Sequence, residues 1–152
     1  MRYLITGIAI LLTLQACNKN CSEVNSDISG GIVKTYDFGN CLIYAQLDSH
    51  RVISTDTGWI SYKTKYLGNC NPAGLENIDF SQNMLVGYKV TEFGCNLGMH
   101  RKLIVDETAK TYTYQVRVEV CGGCNSRLSS PNWVLMPQLP PGYTMRFETV
   151  RE

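Results

Sequence analysis

The segment TYTYQVRVEV, residues 111–120, constrains the fold most, because its apolar and polar residues alternate without a break. Aromatic and β-branched residues at every second position predict a half-buried β-strand. The polar stretch 106–110 predicts a tight turn before it, so residues 100–105 should pair with this strand, with Val105 opposite Tyr112. The chain must therefore bury one face of an antiparallel sheet.

The same hairpin predicts a disulfide bond. Extending its register outward brings Cys95 opposite the segment CGGC, residues 121–124. Bonded cysteines have Cα atoms about 4.4–6.8 Å apart, and this register allows such an approach. We therefore predict that Cys95 is bonded to Cys121 or to Cys124.

The chain has seven cysteines, and an odd number in an exported protein indicates that one thiol has a fate other than a disulfide. Assigning Cys17 to that fate leaves six cysteines, enough for three bonds. The six disulfide candidates are Cys21, Cys41, Cys70, Cys95, Cys121 and Cys124.

Residues 1–16 have the pattern of a secretory signal peptide. One basic residue, Arg2, precedes the largely apolar segment 4–14, which is shorter than the roughly 20 residues that a membrane-spanning helix needs. The segment ends in LQAC, residues 14–17, which resembles the lipobox of bacterial lipoproteins. We predict cleavage after residue 16 and lipidation of Cys17; ordinary cleavage that leaves Cys17 as a plain thiol is the alternative.

Residues 17–30 are mostly polar and are predicted to be a flexible tether to the membrane lipid. Removing residues 1–16 from the 152-residue chain leaves 136 residues, enough for a single β-rich domain over 31–152. We expect it to be lipid-anchored in the bacterial cell envelope, in the outer membrane because Asn18 gives no strong retention signal. That compartment permits disulfides.

The charge balance does not predict a nucleic-acid-binding surface. With Arg2 removed, the 14 basic residues become 13, equal to the 13 acidic residues. A chain without basic excess is not expected to bind nucleic acid.

One short helix is predicted near residues 55–67. It begins at the N-cap candidates of segment 54–56, places large apolar residues at helical spacing from Trp59 to Leu67, and stops at Gly68. We expect an α+β fold that is mostly antiparallel sheet, with about six to eight strands and disulfide staples. The further strand candidates are 31–38 and 41–48, paired across a turn at Gly39-Asn40, then 84–90, 133–136 and 143–150.

The CGGC motif has three interpretations. A redox pair would need a following helix to lower the thiol pKa, and the sequence after Cys124 does not predict one. A zinc site would need two more ligands at suitable spacing. A structural disulfide at the end of a strand needs neither, and is the interpretation we favour.

The remaining polar candidates do not form a catalytic or metal-binding motif, so we expect no catalytic residue, no metal and no cofactor. His50 and His100 are expected at the surface, and Asp79 as a turn or cap residue. Trp59 and Trp133 are expected to be half-buried, with a hydrogen-bond partner for each indole N–H.

From residue 50 onward the chain resembles the C-terminal domain of the protease complex subunit PrcB family. The similar pieces are Val52-Ile53, the stretch 79–86 (DFSQNMLV), and WVLMP at 133–137 with the closing strand Tyr143–Phe147. That family has a glycine-rich segment where this chain has TEFGCNLG, residues 91–98. The resemblance implies association with a protease, and it gives no catalytic residue to carry over to this chain.

We therefore expect a lipid-anchored envelope protein that is not an enzyme and has a binding or scaffold role, with a protease or another envelope component as partner. The alternative is a thiol–disulfide or metal-binding protein that acts through Cys121 and Cys124. A third interpretation is an inhibitor-like module that presents the loop Pro137–Gly142.

Overall fold

The computed structural model describes residues 28–36, 38, 41, 49–68, 70 and 78–152. The predicted fold class is confirmed: these residues form one short helix and two four-stranded sheets in which antiparallel pairing dominates. The strands are β1 (Ile28–Ser29), β2 (Lys34–Tyr36), β3 (His50–Ile53), β4 (Asn83–Phe93), β5 (Asn96–Asp106), β6 (Thr111–Cys121), β7 (Arg127–Pro137) and β8 (Thr144–Arg151).

Several predictions fall outside the described residues: the signal peptide, Cys17, Cys21 and most of the strand expected at 41–48. The tether expected over 17–30 is described only at its end, where β1 pairs with β5 and so belongs to a sheet. Within the described part of the chain, no helix has the length and apolar character to cross a bilayer.

The first sheet has the strand order β1-β5-β6-β8, and the predicted hairpin β5–β6 lies at its centre. Val105 is opposite Tyr112, as expected, and the pairing runs without interruption to Asn96 opposite Cys121. In the turn, the Asp106 carboxylate accepts a hydrogen bond from the Ala109 N–H at 2.8 Å. The hairpin and its register are therefore confirmed.

The second sheet has the order β2-β7-β4-β3, and its longest ladder joins β4 to β7 over all eleven residues of each strand. The predicted strand 31–38 is present only as β2, which pairs with β7. It was expected to pair with 41–48, of which residues 42–48 lie outside the described chain. β4 pairs with one side of β7 along its whole length, and β2 pairs with the other side of β7.

The connection between β7 and β8 moves the chain from one sheet to the other. Pro140 and Pro141 lack an N–H and cannot continue a ladder, and the Tyr143 N–H bonds to the Pro140 carbonyl at 3.1 Å. β8 then runs parallel to β6, from Thr144 opposite Thr111 to Arg151 opposite Val118. The sequence did not predict this parallel pairing.

The two sheets pack face to face, and the helix covers the other face of the second sheet. One core lies between the sheets and one lies under the helix. The inter-sheet core consists of Ile32, Met84, Val86, Val90, Met99, Leu103, Tyr114, Val116, Val118, Val134 and Met136. The core under the helix consists of Phe38, Cys41, Ile53, Trp59, Tyr62, Leu67, Phe80, Leu85 and Trp133.

A hydrogen-bonded polar pair is buried between the sheets. Arg101 is only 9% exposed, and its Nε donates to Asn132 Oδ1 at 3.0 Å. Asn132 in turn donates to the Ser130 carbonyl at 3.0 Å. Burial lowers the pKa of Arg101, with the neighbouring Tyr114 acting in the opposite direction. Since buried polar groups are costly unless bonded, the Arg101–Asn132 bond favours the packing of β5 against β7 across the two sheets.

Trp133 lies directly over Gly87 in the β4–β7 ladder. A Cβ atom at Gly87 would be 2.7 Å from three atoms of the indole ring, so only glycine leaves room for it. Trp133 is 1% exposed and its Nε1 has no hydrogen-bond partner among the described residues. The expectation of a half-buried, hydrogen-bonded Trp133 was therefore wrong, and Trp59, at 6% exposed, is also buried.

Helix α1 spans Asp56–Tyr62 and continues as a π-helical turn over Lys63–Leu67. Among the three N-cap candidates, Thr55 is the cap, and its Oγ1 accepts a hydrogen bond from the Gly58 N–H at 3.1 Å. Gly68 ends the helix, with its N–H bonded to the Lys63 carbonyl at 3.0 Å. The predicted helix near 55–67 is confirmed.

Two disulfide bonds staple the fold. Cys95 is bonded to Cys124, which confirms one of the two predicted pairings, and Cys41 is bonded to Cys70. Their Cα atoms lie 4.8 and 5.7 Å apart, respectively. Cys121 is also disulfide-bonded.

We expect Gly87→Ala to lower the free energy of unfolding by about 1–3 kcal/mol, because the new methyl group would overlap the Trp133 ring. Chemical denaturation measures this change. Gly123→Ala is the matched control, since no atom lies within 4 Å of a Cβ at Gly123. Equal stabilities of the two variants would contradict the packing described here.

We expect removal of the Cys95–Cys124 bond by a double alanine variant to cost about 3–4 kcal/mol, the loop-entropy value for its sequence separation of 29 residues. The Cys41–Cys70 bond has the same separation. The corresponding variant should lose more stability, because Cys41 also belongs to the core under the helix. Urea denaturation of both variants tests this order.

Candidate functional site

The CGGC segment forms a structural turn around a disulfide. Cys124 is bonded to Cys95, and its N–H also donates to Cys95 Sγ at 3.1 Å. Gly122 has a φ of +75°, and a Cβ there would lie 2.5 Å from the same sulfur. Cys121 and Cys124 are thus not bonded to each other. Among the described residues, no group of three or more potential ligands is placed to hold a metal ion.

The other polar candidates are dispersed. His50 is exposed on β3 and stacks on the Phe147 ring at 4.4 Å, while His100 is partly buried in β5. Asp79 is a turn residue, as expected: its Oδ1 accepts from the Ser81 N–H at 2.9 Å and from the Ser81 hydroxyl at 2.6 Å. These hydrogen bonds lower the pKa of Asp79.

The sequence did not single out the site with the most distinctive chemistry. A depression of about 340 Å³, open to solvent, lies between β3 and the helix, and we call it the Arg51 pocket. Its lining residues are Arg51, Val52, Ile53, Ser54, Thr55, Gly58, Ser61, Tyr62, Lys65 and Tyr66. Its size is near the lower end for ligand pockets.

Strand register sets the position of Arg51. Arg51 pairs with Gly87, and Gly87 pairs with Trp133 on its other side. Residues directly opposite in a sheet project from the same face, so Arg51 and Trp133 both point towards the helix. Tyr62 lies between them: its ring centroid is 5.4 Å from that of Trp133 and 5.8 Å from Arg51 Cζ.

Two tyrosine rings orient the guanidinium group. Arg51 Cζ is 5.5 Å from the Tyr66 ring centroid as well as 5.8 Å from that of Tyr62, and the two rings are 5.0 Å apart. Such cation–π contacts hold a guanidinium against a ring face and leave its N–H groups free to donate.

Two donors in the pocket have no acceptor. Arg51 Nε and the Tyr62 hydroxyl are both buried, and neither has a hydrogen-bond partner within the described structure. An unpaired buried donor costs about 1–3 kcal/mol, more when it is charged. Burial raises the pKa of Tyr62 to about 12, with the Arg51 charge opposing and Tyr66 adding to the rise. At neutral pH the pocket therefore offers a cation and a neutral O–H donor.

The charge of the pocket is positive. Lys65 lines it, with Nζ 4.9 Å from the Tyr66 ring centroid, and no aspartate or glutamate is among the lining residues that the structure describes. The side chain of Gln138 holds the end of β3 in place, since its Nε2 donates to the Ser54 carbonyl at 2.9 Å. The arrangement fits an anionic ligand that accepts hydrogen bonds.

A second cationic depression, on the first sheet, is internally paired. It encloses about 180 Å³, and its lining includes Arg101 and Arg117. Arg101 donates to Asn132, and Arg117 forms an ion pair with Glu152 at 3.1 Å. Since its arginines already have partners, this depression has less need of a ligand than the Arg51 pocket.

No protein-family model, curated protein or solved structure matches the chain.

We expect Tyr62→Phe to raise the free energy of unfolding by about 1 kcal/mol, because it removes a buried hydroxyl that has no partner in the described part of the chain. Tyr88→Phe is the matched control: the Tyr88 hydroxyl accepts a hydrogen bond from Thr149 at 2.9 Å, so its loss should destabilise the fold. Thermal or urea denaturation measures both. A destabilised Tyr62→Phe variant would contradict the unpaired state of this hydroxyl.

The raised pKa of Tyr62 also predicts a loss of stability in alkali. In the unfolded chain this tyrosine ionises near pH 10, whereas in the folded protein it stays neutral until about pH 12. The unfolded state therefore gains relative stability as pH rises from 10 to 12. Tyr62→Phe should lose less stability than the wild type across this window, as measured by urea denaturation at each pH.

Proposed function

We propose that the protein is a lipid-anchored binding protein of the bacterial cell envelope, with a non-catalytic role and with the Arg51 pocket as its binding site. The observation that carries this proposal is the pair of buried donors, Arg51 Nε and the Tyr62 hydroxyl, in a pocket whose described lining has no carboxylate. The described lining contains no cysteine or histidine, and the groups that carry the proposal are hydrogen-bond donors.

The disulfide pattern supports export and anchoring. All five described cysteines are disulfide-bonded, and four of them form the two bonds Cys41–Cys70 and Cys95–Cys124. The two remaining cysteines of the sequence are Cys17 and Cys21. We propose that Cys17 is lipidated in the outer membrane, and therefore that Cys21 is the partner of Cys121. Fully oxidised cysteines are typical of compartments outside the cytosol.

The alternative function, thiol–disulfide or metal chemistry at Cys121 and Cys124, has less support. Cys124 is bonded to Cys95, 29 residues away, and Gly122 packs against that bond. A redox motif would require the two CGGC cysteines to bond to each other. The resemblance to the PrcB family extends the main proposal to a protein partner, either a protease or another envelope component.

Intact mass spectrometry of the membrane-extracted protein tests the anchoring. We expect the wild type to lack residues 1–16, to carry a diacylglyceryl group and to have no free thiol. Cys17→Ala should lose the lipid mass and keep its disulfides, whereas Cys21→Ala should keep the lipid and expose one thiol. A wild-type protein with Met1 and no acyl mass would overturn the anchoring proposal.

Photo-crosslinking in intact cells tests the binding role. A photoreactive amino acid at Ser61, in the pocket lining, should give a covalent adduct that is lost when Arg51→Gln is added. Ile60 is the control, because it is 60% exposed and does not line the pocket. If Ser61 gives no adduct, or if its adduct persists in Arg51→Gln, the pocket is not the binding site.

A further inference from the structure

We infer that the Arg51 pocket receives an extended peptide that adds to the edge of β3 and places a carboxylate against Arg51 and Tyr62. This inference rests on the proposed binding function and names the chemical class of its ligand. It depends on three features of the pocket: the edge of β3, the two unpaired donors and the positive charge.

The first feature is the edge. β3 is the outermost strand of its sheet among the described residues, with β4 on its inner side. The Lys89 N–H bonds to the Ser49 carbonyl at 2.8 Å, so these two residues form a hydrogen-bonded pair. Such pairs alternate along an antiparallel ladder, which makes Val52, opposite Val86, a non-hydrogen-bonded pair. The N–H and C=O of Val52 therefore point away from β4.

An outward-pointing backbone on an edge strand is the surface to which an extended peptide adds a strand. Val52 is 40% exposed, and β3 and the helix form the two walls of the same depression. A peptide that pairs with Val52 would thus run along the pocket, with the helix on its other side.

The second feature is the donor pair. The Nε and Nη atoms of an arginine can together bind both oxygens of a carboxylate. Arg51 Nε and the Tyr62 hydroxyl are both buried, and neither has a hydrogen-bond partner among the described residues. A carboxylate has two charged oxygen atoms and can accept a hydrogen bond from each group. These charge-assisted hydrogen bonds are stronger than those to the neutral carbonyl of a peptide group.

The third feature is charge. Arg51 and Lys65 are the charged residues of the described lining, and both are cationic. The helix also carries Asp56 and Lys63, neither of which lines the pocket. A peptide carboxylate complements this charge, whether it belongs to the chain terminus or to an acidic side chain.

The test uses the full chain, purified in detergent, and three pools of random octapeptides. The first pool has a free C-terminal carboxylate and no acidic residue, the second is amidated with one internal glutamate, and the third is amidated without any carboxylate. We expect at least one carboxylate pool to be retained about tenfold more than the third pool. The first two pools distinguish the two sources of the carboxylate.

Variants assign this binding to the pocket. For the peptides retained, Arg51→Gln should weaken binding about thirtyfold or more, Tyr62→Phe about tenfold, and Lys65→Gln about two- to fivefold. Arg117→Gln is the matched control on the other sheet and should leave binding unchanged. Tyr62→Phe should weaken peptide binding and yet stabilise the protein. A loss of binding in this variant therefore cannot be the result of unfolding.

Hydrogen exchange tests the strand addition. Bound peptide should slow exchange of the Val52 N–H, and this protection should be absent in Arg51→Gln. Equal retention of all three pools, no effect of Arg51→Gln, or binding of acetate or inorganic phosphate as tight as that of the peptides would overturn the inference. If these results occur while the Ser61 crosslink persists, the binding role stands and only the peptide assignment fails.

Discussion

The contact between Trp133 and Gly87 is the interaction on which the rest of this structure depends. Because Gly87 has no side chain, the indole lies against the middle of the second sheet, and Phe38 and Tyr62 pack edge-on around it at 5.1 and 5.4 Å. This aromatic cluster determines where the helix rests. It thereby places the Tyr62 ring beside Arg51, which follows Gly87 in the same row across the strands.

The Arg51 pocket, our proposed binding site, is a by-product of that packing. The cluster buries the Tyr62 ring, and the Tyr62 hydroxyl and Arg51 Nε have no acceptor among the described residues. A fold selected for stability alone would gain by replacing these donors with apolar groups. Their position next to the outer edge of β3 is the physical reason for proposing that the pocket binds a ligand.

Local patterns predicted local structure well. The alternation over residues 111–120 was sufficient to predict the hairpin, its register and a Cys95 disulfide, because one turn fixes every pair in an antiparallel ladder. The spacing from Trp59 to Leu67 likewise predicted the helix. The parallel pairing of β6 with β8 could not be predicted in this way, since it depends on a crossover between sheets. The Arg51 pocket also escaped prediction, because its groups meet only through tertiary packing.

The position of β8 has a consequence for the order in which the chain can acquire its structure. β6 is flanked on one side by its hairpin partner and on the other by β8, the last strand in the chain. Synthesis proceeds from the amino end, so the first sheet stays incomplete until residues 144–151 leave the ribosome. A nascent chain that lacks these residues therefore leaves one edge of β6 unpaired.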